Sequence, residues 1–233
     1  MPPNIIAIDG PVASGKSTLG KRLAERLGYL FFDTGVMYRA ITYLALRDLG
    51  SAQDAQAVTL LAQRAHIDIV PPTRADGRDS TILAGLGLPG HGEAVLEDIT
   101  WSSRGKEVEN NVSLVAAIPA VRVVLTDQMR RVGLRGHVVM VGRDVGTVIL
   151  PEADLKVFLT ASVETRAQRR YEEVSGRGEG RGYDDVLANL RERDRIDTSR
   201  KIAPLRAAPD AVLLDTTHMD LDEVLTHIEA LVK

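Results

Sequence analysis

Gly10-Pro11-Val12-Ala13-Ser14-Gly15-Lys16-Ser17-Thr18 lies between an apolar run, Ile5-Ile6-Ala7-Ile8, and an amphipathic run that begins at Leu19. The stretch fits G-x-x-x-x-G-K-[ST], and its order of strand, loop and helix reads as a phosphate-binding loop rather than a Gly-rich turn. The chemistry explains the residue types. A triphosphate tail carries several negative charges, and backbone N–H groups at a helix N-terminus are a pre-organised counter-field that glycines let come close. Lys16, read as an exposed loop side chain, would reach the β- and γ-phosphates, and the Ser17 hydroxyl would ligate a Mg²⁺ bridging them.

The chain has 233 residues, 44% of them hydrophobic, enough for one sizeable core. A formal net charge of -3 argues against a nucleic-acid binder held by bulk electrostatics. Cysteine is absent, which excludes disulfides and thiolate metal sites, and the five histidines, at 66, 91, 137, 218 and 227, lack ligand spacing. Met1-Pro2-Pro3-Asn4 passes into the first strand without a basic leader or long apolar stretch, so a cytoplasmic protein with no membrane partner is expected.

Apolar runs alternate with helical patterns, which predicts an α/β fold: a five-stranded parallel sheet with helices on both faces. The strands read as 5–9, 30–32, 137–141, 155–160 and 211–214. Helices read near 16–27, 36–49, 54–65, 119–133, 163–174, 184–197 and 221–232. Leu19, Leu23 and Leu27 recur at helical spacing, and Gly28 follows as a C-cap. The core is therefore about 1–65, 113–174 and 184–233 of a single domain. An insert of about 66–112 holds the strand-like His66 to Val70, Ile82-Leu83 and a Gly-rich stretch from Gly85 to Gly92, and Trp101 is read as its anchor. A segment of about 175–183, where glycines alternate with Arg177, Glu179 and Arg181, reads as a lid.

Arginines cluster around that lid. Arg166, Arg169 and Arg170 share one helix, with Arg169 counted among the ATP-binding residues; Arg191, Arg193, Arg195 and Arg200 follow, some as a solvated face beside Glu192 and Asp194. Asp33-Thr34-Gly35-Val36-Met37-Tyr38-Arg39 follows the second strand, with Thr34 as candidate N-cap and Arg39 able to clamp a second phosphate. Gly142-Arg143-Asp144-Val145-Gly146-Thr147 sits at the carboxyl end of a strand, where ligands bind in such sheets; Arg143 with Asp144 reads as a binding pair or a structural salt bridge. Asp9 and Asp33 are candidates to hold a cation's water shell, Asp33 the better one.

Together these segments resemble bacterial cytidylate kinases over nearly the whole chain. The motifs are Ile8-Asp9-Gly10-Pro11 leading into Ser14 to Thr18, Asp33-Thr34-Gly35 with Tyr38-Arg39, Val112-Ser113 with Pro119 and Val121-Arg122, Gly142-Arg143-Asp144 with Gly146-Thr147, and Arg193-Asp194-Arg195 with Asp197, Arg200 and Ala203-Pro204-Leu205. Thr34 stands where serine is commoner, Val141 where a polar or acidic residue often precedes Gly-Arg-Asp, and the insert is richer in glycine than usual.

The resemblance implies a P-loop nucleoside monophosphate kinase fold and transfer of the γ-phosphoryl of ATP to CMP or dCMP with Mg²⁺, by a monomer. It implies Thr34, Tyr38, Arg39, Arg122 and Arg143 around the acceptor's phosphate, Ser113, Arg193 and Asp144 at the cytosine edge, and Asp197 with Arg200 toward the sugar and the phosphoryl path. Catalysis would fall to Lys16, Asp33, Arg39, Arg143 and Arg200. Kinases of UMP or shikimate type, and a P-loop ATPase, are the competing readings. A GTP-dependent switch would need an Asn-Lys-x-Asp segment, which the sequence lacks.

Overall fold

β1, Ile5–Asp9, is buried along its whole length, as a central parallel strand covered on both faces must be. In the computed structural model residues 2–70, 80–84, 96–176 and 182–232 are described. They form two compact units, residues 1–34 with 128–233, and residues 35–127. The lid arginines Arg177 and Arg181 and the Gly-rich stretch from Gly85 to Gly92 lie outside the described residues.

The first unit holds a five-stranded sheet in the order β2-β6-β1-β7-β8, with β2 Leu30–Asp33, β6 Val138–Gly142, β7 Leu155–Thr160 and β8 Val212–Asp215. Every neighbouring pair is parallel. The chain leaves β1 toward one edge and β7 toward the other, so their carboxyl ends flank the place where the winding reverses, the usual ligand position in open α/β sheets. The five expected strands are present to within a residue. His137, expected to begin the third, instead turns the chain with φ 51 while its N–H donates to Asn4 Oδ1 at 2.9 Å.

On one face Ile6, Ile8, Val139, Val141, Val157 and Leu159 pack with Leu19 and Leu23 of α1, Lys16–Leu27, and with Val224, Leu225 and Ile228 of α8, Leu221–Val232. Gly28 ends α1 with φ 68, its N–H turned back on Glu25 O. α6, Val163–Gly176, and α7, Tyr183–Ser199, close on each other through Ala167, Val174, Val186 and Leu190.

In the second unit α2, Gly35–Leu49, packs against α3, Ala55–Arg64, and α4, Lys106–Ala117. Asp54 caps α3, its carboxylate accepting from Gln56 and Ala57 N–H at 3.0 Å each. An antiparallel sheet joins β3, His66–Val70, β4, Ser80–Ala84, and β5, Leu96–Asp98. α5, Pro119–Gly133, crosses the boundary between the units. α4 was not expected, and it runs through residue 112, where the sequence reading ended the insert; Val108, Val112 and Val115 give it a buried stripe at helical spacing. Trp101 is 42% exposed just before a short 3₁₀ turn. Among the described residues no single helix is long and apolar enough to cross a membrane.

α1 reaches the sheet where Gly20 has no side chain: a Cβ there would stand 2.6 Å from Val141 Cγ1 and 3.1 Å from Phe31 Cε2. Gly20→Ala would gain about 1 kcal/mol of helix propensity, yet the overpacking costs about 1–3 kcal/mol. The expected outcome is net destabilisation, read as a lower midpoint of urea unfolding at unchanged slope.

Candidate active site

At the carboxyl end of β1 the chain enters the phosphate loop with Gly10 at φ 154, where a Cβ would run into the Leu159 carbonyl oxygen. Ala13 at φ 60 and Gly15 at φ 88 complete the turn, a backbone path of the kind stored at binding sites. Leu19 N–H donates to Gly15 O at 3.0 Å, which starts α1 and leaves the N–H groups of its first turn without intrahelical acceptors. The Ser14 hydroxyl is buried in the loop and has no hydrogen-bond partner among the described residues.

Lys16 is not the exposed side chain expected from the sequence. It is 6% exposed, and its ammonium donates to Pro11 O at 2.8 Å. Burial pushes it well below the ordinary lysine value, with the Arg143 charge adding to the effect against Asp33, Asp197 and Asp9. A desolvated cation folded onto its own loop is a seat for an anion. The Ser17 hydroxyl donates to Asp33 Oδ2 at 2.8 Å at the end of β2. These hard oxygen donors beside the loop fit a Mg²⁺.

Beyond β6, Arg143 pairs with Asp197 rather than its neighbour Asp144: its Nε donates to Asp197 Oδ2 at 2.9 Å, and Arg200 holds the other oxygen, Oδ1. Asp197 is 4% exposed in its side chain, and although burial pushes its carboxyl up, Arg143 and Arg200 hold it below the usual carboxylate range. α7 sets Arg193 and Asp197 on one face by their four-residue spacing, with Arg193 buried, and Arg200 follows as the residue that ends the helix. Asp144 is buried in front of a π-helix, Val145–Ile149, a wide turn frequent at functional sites. Thr34, directly before α2, donates its hydroxyl to Val141 O at 3.0 Å.

Asp9, a candidate for the cation's water shell, holds two backbone amides: Oδ1 accepts from Val145 N at 2.8 Å and Oδ2 from Gly146 N at 2.7 Å. Burial raises its pKa to about 6 against those two hydrogen bonds.

In the second unit the Arg122 guanidinium lies 5.3 Å from the centroid of the Tyr38 ring and donates to Ala116 O at 3.1 Å. Both side chains are buried, as is Ser113 on α4, while Arg39 on α2 is half-buried.

Among the lid-side arginines, Arg169 donates to Thr216 Oγ1 and O and to Met219 O, tying α6 to the turn between β8 and α8. Arg166, to which the sequence reading assigned no role of its own, sits on the loop: it donates to Val12 O at 3.1 Å and Ala161 O at 3.0 Å and pairs with Asp194 at 2.6 Å. Its nearness to the apolar stripe of Val163, Ala167 and Val174 is the sequence signal that separates it from Arg169. Arg195 with Glu192 is an expected solvated pair, whereas Arg191 pairs with Glu164, and Asp194, expected on the solvated face, is taken by Arg166.

Residues 6–233 match the family described as cytidylate kinase. A cytidylate kinase of Herpetosiphon aurantiacus is 50% identical over 230 residues, 99% of this chain and 94% of that protein. One of Geobacillus kaustophilus is 44% identical over 230 residues, 97% and 95% of the two chains, and one of an Exiguobacterium species 42% over 232 residues, 98% and 96%.

Because its folded pKa is raised, Asp9 contributes stability that is complete below its ordinary value of 3.8 and lost as pH rises through about 6. Asp9→Asn cannot ionise, so the unfolding free energy of the variant should fall less across that window than that of the parent, by up to about 3 kcal/mol. Chemical denaturation at about pH 4.5 and about pH 7 reads the difference.

Proposed function

The chain belongs to the cytidylate kinase family, and from that premise we propose that it transfers the γ-phosphoryl group of ATP to CMP or dCMP, giving ADP and CDP or dCDP. The observation that carries the mechanism is the buried Lys16 ammonium held on a loop carbonyl, beside a carboxylate, Asp197, already neutralised by two arginines. Such a group gains most from an incoming anion, because phosphate oxygens return the charge stabilisation that burial removed.

Transfer is in line and without a covalent intermediate. Ser17, whose hydroxyl donates to Asp33, is assigned to the cation rather than to attack, and the acceptor phosphate is already anionic. Rate then comes from orientation and from charges placed where the loose transition state spreads its own. The loop from Gly10 to Thr18 receives the donor phosphates, Lys16 meets the β- and γ-oxygens, and the orphaned Ser14 hydroxyl gains a partner there. Ser17 with Asp33 would hold the Mg²⁺ that, when bound with ATP, screens and orients those phosphates.

For the acceptor, Arg39 and Arg122 take the phosphate with Tyr38 beside them, together with Thr34 and Arg143. Ser113, Arg193 and Asp144 face the cytosine edge. Cytosine offers an amine donor beside acceptors, so a carboxylate and a hydroxyl receive the amine while an arginine donates. Uracil lacks the amine and leaves those acceptors unpaired, a large penalty in a buried site. Asp197 and Arg200 address the sugar and the transferring group. Arg169 contributes on the ATP side through the turn it fastens. The enzyme acts as a monomer in the cytoplasm.

A coupled ADP-release assay with Mg-ATP and, in parallel, CMP, dCMP, UMP, AMP, GMP, shikimate and no acceptor tests this reading. CMP or dCMP should lead, and equal turnover without acceptor would identify an ATPase. Lys16→Ala should lose turnover by about 10²–10³-fold while stability is unchanged or raised, since a desolvated cation is removed. Arg39→Ala should raise KM for CMP by about tenfold with a smaller change in kcat; an unchanged KM rejects the clamp.

A further inference from the structure

Asp9 is 5% exposed and immediately precedes the first glycine of the phosphate loop, yet neither carboxylate oxygen turns toward that loop's own amides. Both accept N–H groups from the first two residues of the π-helix, Val145 and Gly146, and Arg143 and Asp144 come directly before them. The π-helix then closes back on Asp144, whose carbonyl accepts from Val148 N at 2.9 Å and Ile149 N at 3.1 Å. On the other side, β6 pairs Gly142 with Asp9 itself. The backbone of Arg143 and Asp144 is thus gripped from both directions, each time through Asp9 or its strand.

The seat under this turn is tight. A Cβ on Gly146 would lie 3.2 Å from Cγ and Cδ of Lys156 and 3.4 Å from Asp9 Oδ2. Lys156 does not give way easily, because its side chain is buried in β7 and its ammonium is fixed to Asp210 at 2.6 Å.

We infer that Asp9 is a positioning residue for acceptor recognition: by holding two adjacent amides of the π-helix it sets where the Asp144 carboxylate and the Arg143 guanidinium stand. It does so from the residue that opens the donor loop, so one carboxylate registers donor and acceptor machinery against each other. The other use of an acid at this place, ordering water around a cation, would fall to the remaining lone pairs of oxygens whose direction the two amides fix. Asparagine keeps the size and one acceptor but turns an N–H donor toward an N–H donor, which a short buried hydrogen bond does not tolerate. This inference rests on the cytidylate kinase reading for its substrate and on geometry alone for the clamp.

The test is steady-state kinetics of the full-length enzyme with CMP, UMP and ATP varied in turn, on the parent, Asp9→Asn and Gly146→Ala, with amide exchange of Val145 and Gly146 measured alongside. Both variants should raise KM for CMP by about tenfold and narrow the CMP-to-UMP ratio of kcat/KM by a similar factor, with KM for ATP within about twofold of the parent. A merely structural role would lower the active fraction and leave both KM and that ratio unmoved. A raised KM for ATP or a shifted Mg²⁺ requirement, with CMP recognition unchanged, would overturn the inference in favour of a cation role. The Asp9→Asn protein should lose about tenfold in amide protection at Val145 and Gly146, and unchanged protection would remove the clamp. Should Asp9→Asn fail to fold, Gly146→Ala, which crowds the same turn against Lys156, carries the kinetic test. Absence of CMP kinase activity in the parent would defeat the functional reading, and amide exchange would still decide the clamp.

Discussion

An ammonium that cannot reach water has to be held at the end of a parallel sheet without being neutralised, and the arrangement around Lys16 follows from that requirement. Each nearby carboxylate has another partner: Asp197 is divided between Arg143 and Arg200, Asp33 accepts from Ser17, and Asp9 from the amides of Val145 and Gly146. Lys16 keeps a backbone carbonyl, the weakest of these options, while the Arg143 charge works against it. The local field is therefore incompletely compensated, a state that burial makes costly and that phosphate oxygens relieve. The same logic explains why the loop is tied from outside. Arg166 bonds the Val12 carbonyl and Asp194, so the loop's backbone keeps its shape while its one mobile charge is exchanged.

The second unit also buries a cation, Arg122. Arg122 is buried against the face of Tyr38 and caps the Ala116 carbonyl, so an aromatic ring and a peptide dipole both stand beside its guanidinium. Arginine suits the position because its planar fork stacks and donates at once, which a lysine does not do.

The parallel sheet could be read from the sequence because its strands are short apolar runs closed by polar or small residues, and the phosphate loop because its glycines and Lys-Ser sit at fixed offsets. α4 was hidden for a physical reason: Glu109, Asn110, Asn111 and Ser113 interrupt the apolar stripe of Val108, Val112 and Val115, so the stripe is narrow and resembles loop composition. The partner of Arg143 was out of reach as well, since neighbouring residues after a strand point to opposite sides, and Asp197 arrives from α7 much later in the chain. Burial of Lys16 was missed because loop membership suggests exposure, whereas depth depends on what packs over the loop. Arg166 and Arg169 have the same residue type on the same helix, and only their angle to the apolar stripe separates them.

The strand order has a bearing on how the protein comes into being. β1 and β2 are made first but do not pair with each other; both lie against β6, with Ile5 opposite Val138 and Leu30 also opposite Val138. The whole second unit is translated between them and β6. Two apolar strands therefore wait with open edges, in a chain that already contains a separately compact unit, until β6 arrives to join them. Long-range parallel pairing of this kind is slow and leaves strand edges exposed to other chains in the meantime. On the ribosome, the phosphate loop has a sequence long before it has a shape.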